Sequence, residues 1–305
     1  MIHFETPLGK TVSLHLVITD SGIGGLLICA EVEKNLRQSG RYAGIRITYF
    51  NAWPKQGSGY NDLPDVQSRA AVFNRALVRM EQMQPDRILI ACNTLSILYG
   101  MTEFSRTSTI PVLGIIDAGV DLYFEALRAD PLGSILIFGT RTTIESGVHR
   151  DRLVHLGIPD NRIAAFACHG LAAAIEKDPD GAAVGDLIEK CVSEACRANL
   201  PGRQLYAGLS CTHYAYVKDL IRTIIERRSG KKVMILDPNE RMVKSIAPRV
   251  DRELLEPASG AVSVRVISKL ELDDNQRRTV AERLEPISDA TAHALLFYTH
   301  EPDLF

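Results

Sequence analysis

Short apolar runs alternate along the chain with longer segments in which apolar residues recur at three- and four-residue spacing. Runs rich in Val, Ile and Leu are typical of strands buried on both faces, and the longer spacing is typical of helices with one buried face. Their alternation predicts an α/β fold with mainly parallel sheets flanked by helices. The predicted strands are Ser13–Thr19, Ile45–Phe50, Arg87–Ala91, Val112–Ile116, Ser134–Phe138, Ile163–Ala167, Leu205–Leu209 and Val233–Leu236.

Helical spacing is clearest in two segments, Val66–Met83 and Gly181–Asn199. After about Leu255 the pattern weakens, and no residues with recognisable chemistry follow. In this tail we predict a strand, a helix and a last strand, at Val262–Ser268, Asn275–Leu284 and Ala292–Tyr298.

One arrangement of strand ends occurs twice. A strand that ends at Asp20-Ser21-Gly22 precedes one that ends at Cys92-Asn93-Thr94, and a strand that ends at Gly139-Thr140 precedes one that ends at Cys211-Thr212-His213. The repetition predicts two similar α/β domains whose polar strand ends face each other across a cleft.

The domain boundaries are expected in loops that contain glycine. Ile116–Gly119 and Arg228–Lys231 are polar, glycine-containing stretches that tolerate a hinge. We therefore predict a first domain of residues 1–117 plus 229–305, to which the tail returns, and a second domain of residues 118–228.

The composition of the 305 residues is that of a soluble globular protein, with 46% hydrophobic and 24% charged residues. A formal net charge of -2 gives no field that would attract a polyphosphate or an anionic membrane, and the low aromatic content offers no stacking platform for nucleic acid. We expect a small-molecule ligand, without a nucleic-acid or membrane partner.

The cellular location of the protein can also be predicted. The N-terminal residues show no basic segment followed by an apolar core, and no apolar run approaches the ~20 residues of a spanning helix, so a cytoplasmic location is expected.

The six cysteines are widely spread in a long chain, which favours free thiols. Those expected in the core are Cys29, Cys191 and Cys196.

Two cysteines, Cys92 and Cys211, directly follow apolar strands and precede small hydrogen-bonding residues. Ligands of open α/β sheets bind at the carboxyl ends of strands, although a cysteine there often packs only as a small apolar residue. A thiolate can remove a proton and a thiol can return one, so two facing thiols could invert one carbon. Helices are expected to begin right after Asn93-Thr94 and Thr212-His213, and their N-termini suit a thiolate and a substrate carboxylate.

The glycine-rich segment Asp20–Gly25 resembles a nucleotide-binding turn but departs from it in detail. Leu27 occupies the place of the third glycine of a dinucleotide fingerprint, and Asn51 rather than an acidic residue closes the next strand. We expect these glycines to permit a tight turn, from which Asp20 and Ser21 face a small ligand. A purely structural turn is the alternative.

Taken together, these segments resemble the aspartate/glutamate racemase family, and its glutamate racemases most closely. The similarity spans roughly residues 13 to 245, and the paired Cys-Asn-Thr and Cys-Thr-His-Tyr elements are its specific part. The matching segments, in the family's order, are 19–25, 91–96, 139–147, 168–176 and 210–214.

The resemblance implies a racemase or epimerase in which Cys92 and Cys211 are the two acid/base groups. Asp20 and His213 would then assist the thiols or the substrate ammonium, and Glu176 would support His213, with a solvated helix charge as the alternative for Glu176. The implied substrate-binding residues are Ser21, Asn93, Thr94, Thr143 and Thr212, with the backbone of Gly57, Ser58 and Gly59.

The resemblance further implies an amino-acid substrate, no cofactor, neither pyridoxal phosphate nor a metal, and a homodimer. The chain departs from glutamate racemases mostly near the substrate side chain: Gly57-Ser58-Gly59 replaces Pro-Tyr-Gly, and Ala52 replaces an acidic residue. His149, Ser210 and Ala215 replace Tyr, Gly and Pro. Reaction type is therefore predicted more directly than the substrate or a role in supplying D-glutamate to the cell wall.

Several alternatives remain open from the sequence. The substrate could be aspartate or another amino acid, or the same fold could catalyse another isomerisation or a decarboxylation of a small carboxylate. The chain could also bind a small ligand without turnover. A metal site is a further alternative, but its candidate ligands lack the usual spacings: Cys168, His169, Cys211 and His213.

Overall fold

The computed structural model describes residues 12–198, 200–246 and 261–305. The N-terminal residues 1–10, from which the absence of a signal segment was inferred, lie outside the described residues. So does Asn199, the last residue of one predicted helix.

The described residues form two sheets in which every strand pair is parallel. The strands are β1 Val12–Asp20, β2 Tyr42–Asn51, β3 Arg87–Ile90, β4 Val112–Gly114, β5 Ser134–Gly139, β6 Ile163–Ala167, β7 Leu205–Ser210, β8 Val233–Leu236, β9 Ala261–Ser268 and β10 Thr299–His300. The larger sheet has the order β10-β9-β2-β1-β3-β4, and the smaller one the order β6-β5-β7-β8. The predicted fold class is confirmed.

Helices follow nearly every strand, as parallel pairing requires. They are α1 Leu26–Ser39, α2 Val66–Glu81, α3 Asn93–Tyr99, α4 Phe104–Thr107, α5 Ile115–Ala129, α6 Arg141–Glu145, α7 Val148–His155, α8 Leu171–Lys177, α9 Ala182–Ala195, α10 Lys218–Ser229, α11 Pro238–Ile246, α12 Asp274–Leu284 and α13 Asp289–Leu296. Short 3₁₀ helices lie at Tyr60–Asp62, Asp160–Arg162, Cys196–Ala198 and Thr212–Val217. In the part of the chain that the structure describes, no helix is both long enough and apolar enough to cross a membrane.

Strand register brings the polar strand ends together. In the larger sheet Thr19 pairs with Ile90, so that the ends of β1 and β3 lie side by side. In the smaller sheet Gly139 pairs with Ser210, which aligns the ends of β5 and β7 in the same way. Apolar side chains cover both faces of each sheet, in separate buried clusters, and hold these ends in place.

One predicted strand is wrong, and another is two residues too long. Residues 292–296 belong to the helix α13, whose N-terminus is capped by the Ser288 side chain, and only Thr299–His300 is a strand. The predicted strand at Val112–Ile116 ends at Gly114, because the N–H of Ile115 donates to Ser96 Oγ and begins α5. A short apolar run fits a buried strand or a buried helix equally well.

The two segments expected to form the domain boundaries are not both loops in the structure. Residues 116–119 lie inside α5, and residues 228–231 join α10 to β8, which pairs with β7 in the smaller sheet. After β8, the helix α11 packs its Met242 into the core of the larger sheet. The domain division stays a prediction, and this pairing favours a second boundary at the end of β8.

The prediction that all six cysteines are free thiols is wrong. Cys168 and Cys191 form a disulfide that joins the segment after β6 to α9, with Cα atoms 5.5 Å apart and a sequence separation of 23. Burial brings the two side chains together, which their spacing in sequence does not reveal. The described free cysteines are Cys29, Cys92, Cys196 and Cys211.

We expect Cys191→Ser to lower the free energy of unfolding by about 3 kcal/mol, because the crosslink restricts the unfolded chain. Urea denaturation with and without dithiothreitol measures the effect. Reductant should lower the midpoint of the wild type but not that of the variant, and Cys196→Ser is the control with a free thiol. Equal midpoints for oxidised wild type and Cys191→Ser would contradict the expected contribution.

Candidate active site

A cavity of about 270 Å³ lies where the carboxyl ends of the strands of the two sheets meet. Its volume lies near the lower end of the range for ligand pockets, which suits a small molecule. The described residues that line it are Asp20, Ser21, Trp53, Gly59, Tyr60, Asn61, Asp62, Cys92, Asn93, Thr94, Thr140, Arg141, Thr143, Cys168, His169, Gly170, Ala172, Ala173, Glu176, Ser210, Cys211, Thr212 and His213.

Cys92 lies at the carboxyl end of β3 and is the N-cap residue of α3. Its Sγ is 3.2 Å from Ser21 Oγ and is nearly fully buried. Burial raises the pKa of the Cys92 thiol strongly, and the nearby carboxylate of Asp20 raises it further. The raised pKa favours the thiol form of Cys92.

Cys211 lies at the equivalent end of β7, as the N-cap residue of the 3₁₀ helix that follows. Its Sγ is 3.8 Å from Nδ1 of His213, and Nε2 of His213 donates to Glu176 Oε2 at 2.6 Å. Burial alone would lower the pKa of His213, but the hydrogen bonds to Cys211 and Glu176 and their charges raise it well above its usual value. The structure therefore places an imidazolium beside Cys211.

Asp20 joins the two sheets at the back of the cavity. Its carboxylate accepts from the Ser21 N–H at 2.6 Å and from Thr212 Oγ1 at 2.7 Å. Burial raises the pKa of Asp20, whereas the charge of His213 and the hydrogen bonds from Thr212 and Cys92 lower it. The predicted pair Asp20 and Thr212 thus makes a direct contact between strand ends of different sheets.

Three hydroxyls form a second contact between the sheets. Thr94 Oγ1 lies 3.0 Å from Thr140 Oγ1 and 3.4 Å from Thr143 Oγ1, and the last two are 3.0 Å apart. Thr140 was not among the predicted site residues, although it follows β5 directly. Hydroxyls of this kind can donate to a carboxylate.

Asn93 supplies an amide that is free for a ligand. Its side chain is buried, and neither Nδ2 nor Oδ1 has a hydrogen-bond partner among the described residues. A buried polar group without a partner is costly, and a bound ligand would supply the missing hydrogen bonds. This observation supports the predicted binding role of Asn93.

The glycines after β1 are explained by close approach, not by an unusual turn. An added Cβ would lie 2.5 Å from Glu176 Oε2 at Gly22, 2.5 Å from His213 Nδ1 at Gly24 and 2.9 Å from Asp20 Oδ2 at Gly25. None of the three has a positive φ. The predicted turn is present, closed by the hydrogen bond from the Leu26 N–H to the Ile23 carbonyl, and its glycines also leave room for polar side chains, two of them from the opposite sheet.

Of the predicted glycine and serine residues after β2, only Gly59 lines the cavity. Gly57 has φ 74°, and the Ser58 N–H donates to the carbonyl of Lys55, so both belong to a tight turn outside the cavity. The same loop contributes side chains that the sequence analysis did not single out: Trp53, Tyr60, Asn61 and Asp62.

Two side chains on the smaller-sheet side were not predicted to bind a substrate. Arg141, the first residue of α6, and His169, after β6, both line the cavity and are exposed. Both lie in segments that resemble the family, 139–147 and 168–176, and the sequence named His169 only as a candidate metal ligand.

The metal-site alternative is not supported by the geometry. Cys168 is held in the disulfide, and the described residues contain no group of three or more His, Cys, Asp or Glu side chains that could hold a metal ion. What the cavity does present is the Cys92 side chain from one sheet and the Cys211 side chain, beside His213, from the other. Such a pair can exchange protons with a ligand on two sides.

Comparisons with known proteins agree with this geometry. The family model described as Asp/Glu/Hydantoin racemase matches residues 28–246. A glutamate racemase of Streptococcus pneumoniae (strain Hungary19A-6) is 30% identical over 231 residues, which are 75% of this chain and 78% of that protein.

Solved structures show the same fold. A glutamate racemase from Campylobacter jejuni subsp. jejuni superposes with a TM-score of 0.63 at 23% identity, over 89% of this chain and 98% of that chain. The glutamate racemase from Francisella tularensis in complex with D-glutamate gives a TM-score of 0.60 at 20% identity, over 94% and 95%.

Proposed function

The chain belongs to the Asp/Glu/hydantoin racemase family, and from this premise we propose that it is a cofactor-independent glutamate racemase. Cys92 and Cys211 transfer protons at the α-carbon and so interconvert L- and D-glutamate. One observation carries the proposal: the two cysteines end strands of different sheets and line one cavity.

The amino acid is held by its charged groups. Its carboxylate accepts from the unpartnered amide of Asn93 and from the hydroxyls of Thr94 and Thr143, near the N-terminus of α3. The acidic side chain of Asp20, at the back of the cavity, faces the ammonium group. These contacts leave the α-carbon between the two strand ends.

Each turnover moves two protons. The thiolate of one cysteine takes the proton from the α-carbon, and the resulting carbanion takes a proton from the thiol of the other cysteine on the opposite face. The two cysteines thereby exchange protonation states. We assign the first proton abstraction to Cys211, because its Sγ lies 3.8 Å from the His213 ring, and the proton donation to Cys92, because burial raises the pKa of its thiol.

Arg141 is proposed to select an acidic side chain. Among the described residues that line the cavity, it carries the permanent positive charge, which can pair with the distal carboxylate of glutamate. We expect Arg141→Gln to raise KM for glutamate by about 10-fold with a smaller change in kcat. The inhibition constant of glutamine, which has no distal charge, should stay within about twofold, because only the lost charge pair changes.

Steady-state kinetics with both compounds measure this preference. Arg106→Gln, at an exposed arginine outside the cavity, is the matched control. Equal weakening of glutamate and glutamine by Arg141→Gln would contradict the assignment of the distal carboxylate to Arg141.

The proposed function is tested by proton NMR of the wild type in deuterated buffer with L- and D-glutamate, both enantiomers of aspartate, and a panel of other amino acids. Loss of the Cα–H signal with inversion for glutamate is expected. If another amino acid were inverted and glutamate were not, that amino acid would be assigned as the substrate. No exchange with any of them would overturn the racemase assignment.

We also propose a homodimer and a cytoplasmic location, both from the family resemblance and the sequence. Size-exclusion chromatography with light scattering measures the first. A mass of about twice the 33.6 kDa of one chain is expected, and a mass of one chain would exclude the dimer.

A further inference from the structure

The C-terminal tail reaches the active site, although it lies beyond residues 28–246 that match the family. Nε2 of Gln276, on α12, donates to Glu176 Oε1 at 3.1 Å. The other oxygen of the same carboxylate, Oε2, accepts from His213 at 2.6 Å. A continuous chain of contacts thus runs from the tail through Glu176 and His213 to Cys211.

We propose that Gln276 is a positioning residue for the Cys211 side of the reaction. Its amide fixes the oxygen of Glu176 that His213 leaves free, and so sets the angle from which the carboxylate holds the imidazolium beside Cys211. Gln276 does not contact the cavity itself. This inference rests on the proposed racemase activity for its kinetic consequence only.

Packing makes the contact specific. An added Cβ at Gly22 would lie 2.5 Å from Glu176 Oε2, so the carboxylate has little freedom on that side. On the other side Gln276 meets it from a helix whose N-cap is the side chain of Asp273. The Glu176 carboxylate is therefore held between the backbone of Gly22, where no side chain would fit, and the amide of Gln276.

The helix that carries Gln276 is well anchored. Val280, Ala281 and Leu284 are buried in the core of the larger sheet, and Arg283 forms an ion pair with Asp180 between α8 and α9. The tail therefore spans from the core of one sheet to the helix that presents Glu176 on the other. A rigid helix of this kind can hold an active-site group in one geometry.

The chemistry of an amide suits this place. Glutamine offers a neutral donor, so it restrains the carboxylate without competing for the charge that Glu176 shares with His213. A carboxylate at the same position would instead place two negative charges together, which disfavours the observed contact. Gln276→Leu removes the donor, and Gln276→Glu keeps the length but repels Glu176.

The first readout needs no activity. NMR titration of the His213 ring in the purified free protein should give a midpoint lower by at least about 0.5 pH unit in Gln276→Leu, because the raised pKa of His213 depends on a well-held Glu176. Asn275→Leu, at an exposed amide of the same helix, is the matched control and should leave the midpoint unchanged.

The second readout is kinetic. Gln276→Leu and Gln276→Glu should each lower kcat for glutamate by about 10-fold while KM stays within about twofold, because substrate contacts are untouched. An unchanged His213 midpoint in Gln276→Leu would overturn the positioning role. A wild type that racemises nothing would overturn the proposed function alone, since the His213 comparison between Gln276→Leu and Asn275→Leu would still decide this inference.

Discussion

Cys92→Ala and Cys211→Ala are each expected to lower glutamate racemisation by about 10³-fold or more. Each variant removes one of the two groups that move the α-proton, and a positioned acid or base contributes a factor of this size. The remaining cysteine can still reach one face of the α-carbon, but inversion needs a proton donor on the other face. Both variants should therefore lose inversion in both directions.

Circular dichroism of glutamate during turnover measures this loss from either enantiomer. Cys196→Ala is the control, because Cys196 is a partly buried free thiol in the smaller-sheet half and does not line the cavity. Either cavity variant retaining more than about a tenth of wild-type racemisation would be incompatible with a two-thiol reaction.

His213→Ala should lower kcat by about 10²-fold at neutral pH and shift the pH dependence. The raised pKa of His213 keeps its ring positively charged at neutral pH, beside Cys211. Without this cation the thiolate must form unaided, so the acidic limb of the pH–rate profile should move to higher pH. Raising the pH should recover part of the lost activity.

Profiles of kcat against pH for the wild type, His213→Ala and Glu176→Gln test this assignment. Glu176→Gln keeps a hydrogen-bond partner for His213 but removes the charge, so a shift in the same direction and of smaller size is expected. In the wild type, rate should fall at high pH as the raised pKa of His213 is passed and the imidazolium is lost. A parallel loss at every pH in His213→Ala would contradict the electrostatic role.

The sequence predicted most strands well. Ile163–Ala167 and Val233–Leu236 agree with the structure to the residue, and in the tail the predicted strand and helix each differ by one residue at the start. The prediction was wrong at the end of the tail, where the apolar residues from Ala292 onward fit either a strand or a helix. The contact that favours the helix is the hydrogen bond by which the Ser288 side chain caps the N-terminus of α13. A serine at this place in the sequence is compatible with such a cap but does not establish it.

The chemical centre of the site was also accessible to sequence reasoning, because its residues directly follow strands. Cys92 and Cys211 were found from the rule that ligands bind at the carboxyl ends of parallel strands, together with the repetition of this arrangement in two facing domains. Arg141, Trp53 and Gln276 were missed for the opposite reason. Their places depend on loop paths and on a contact 100 residues apart in sequence, between Gln276 and Glu176, which no local pattern encodes.

The glycines after β1 have a second role that no local pattern predicts. The sequence predicts only a tight turn for Gly22 and Gly24. The structure shows that side chains from the opposite sheet, Glu176 and His213, occupy the space of their missing Cβ atoms. Close approach between distant segments is a property of the folded chain.

The most direct test of the two-thiol account follows the Cα–H signal of each glutamate enantiomer in deuterated buffer, with Cys92→Ala and Cys211→Ala side by side. Each variant keeps a thiol on one face, so each should exchange the α-proton of one enantiomer without inverting it, and the two variants should select opposite enantiomers. Exchange of the same enantiomer by both variants, or inversion by either, would contradict proton transfer between Cys92 and Cys211.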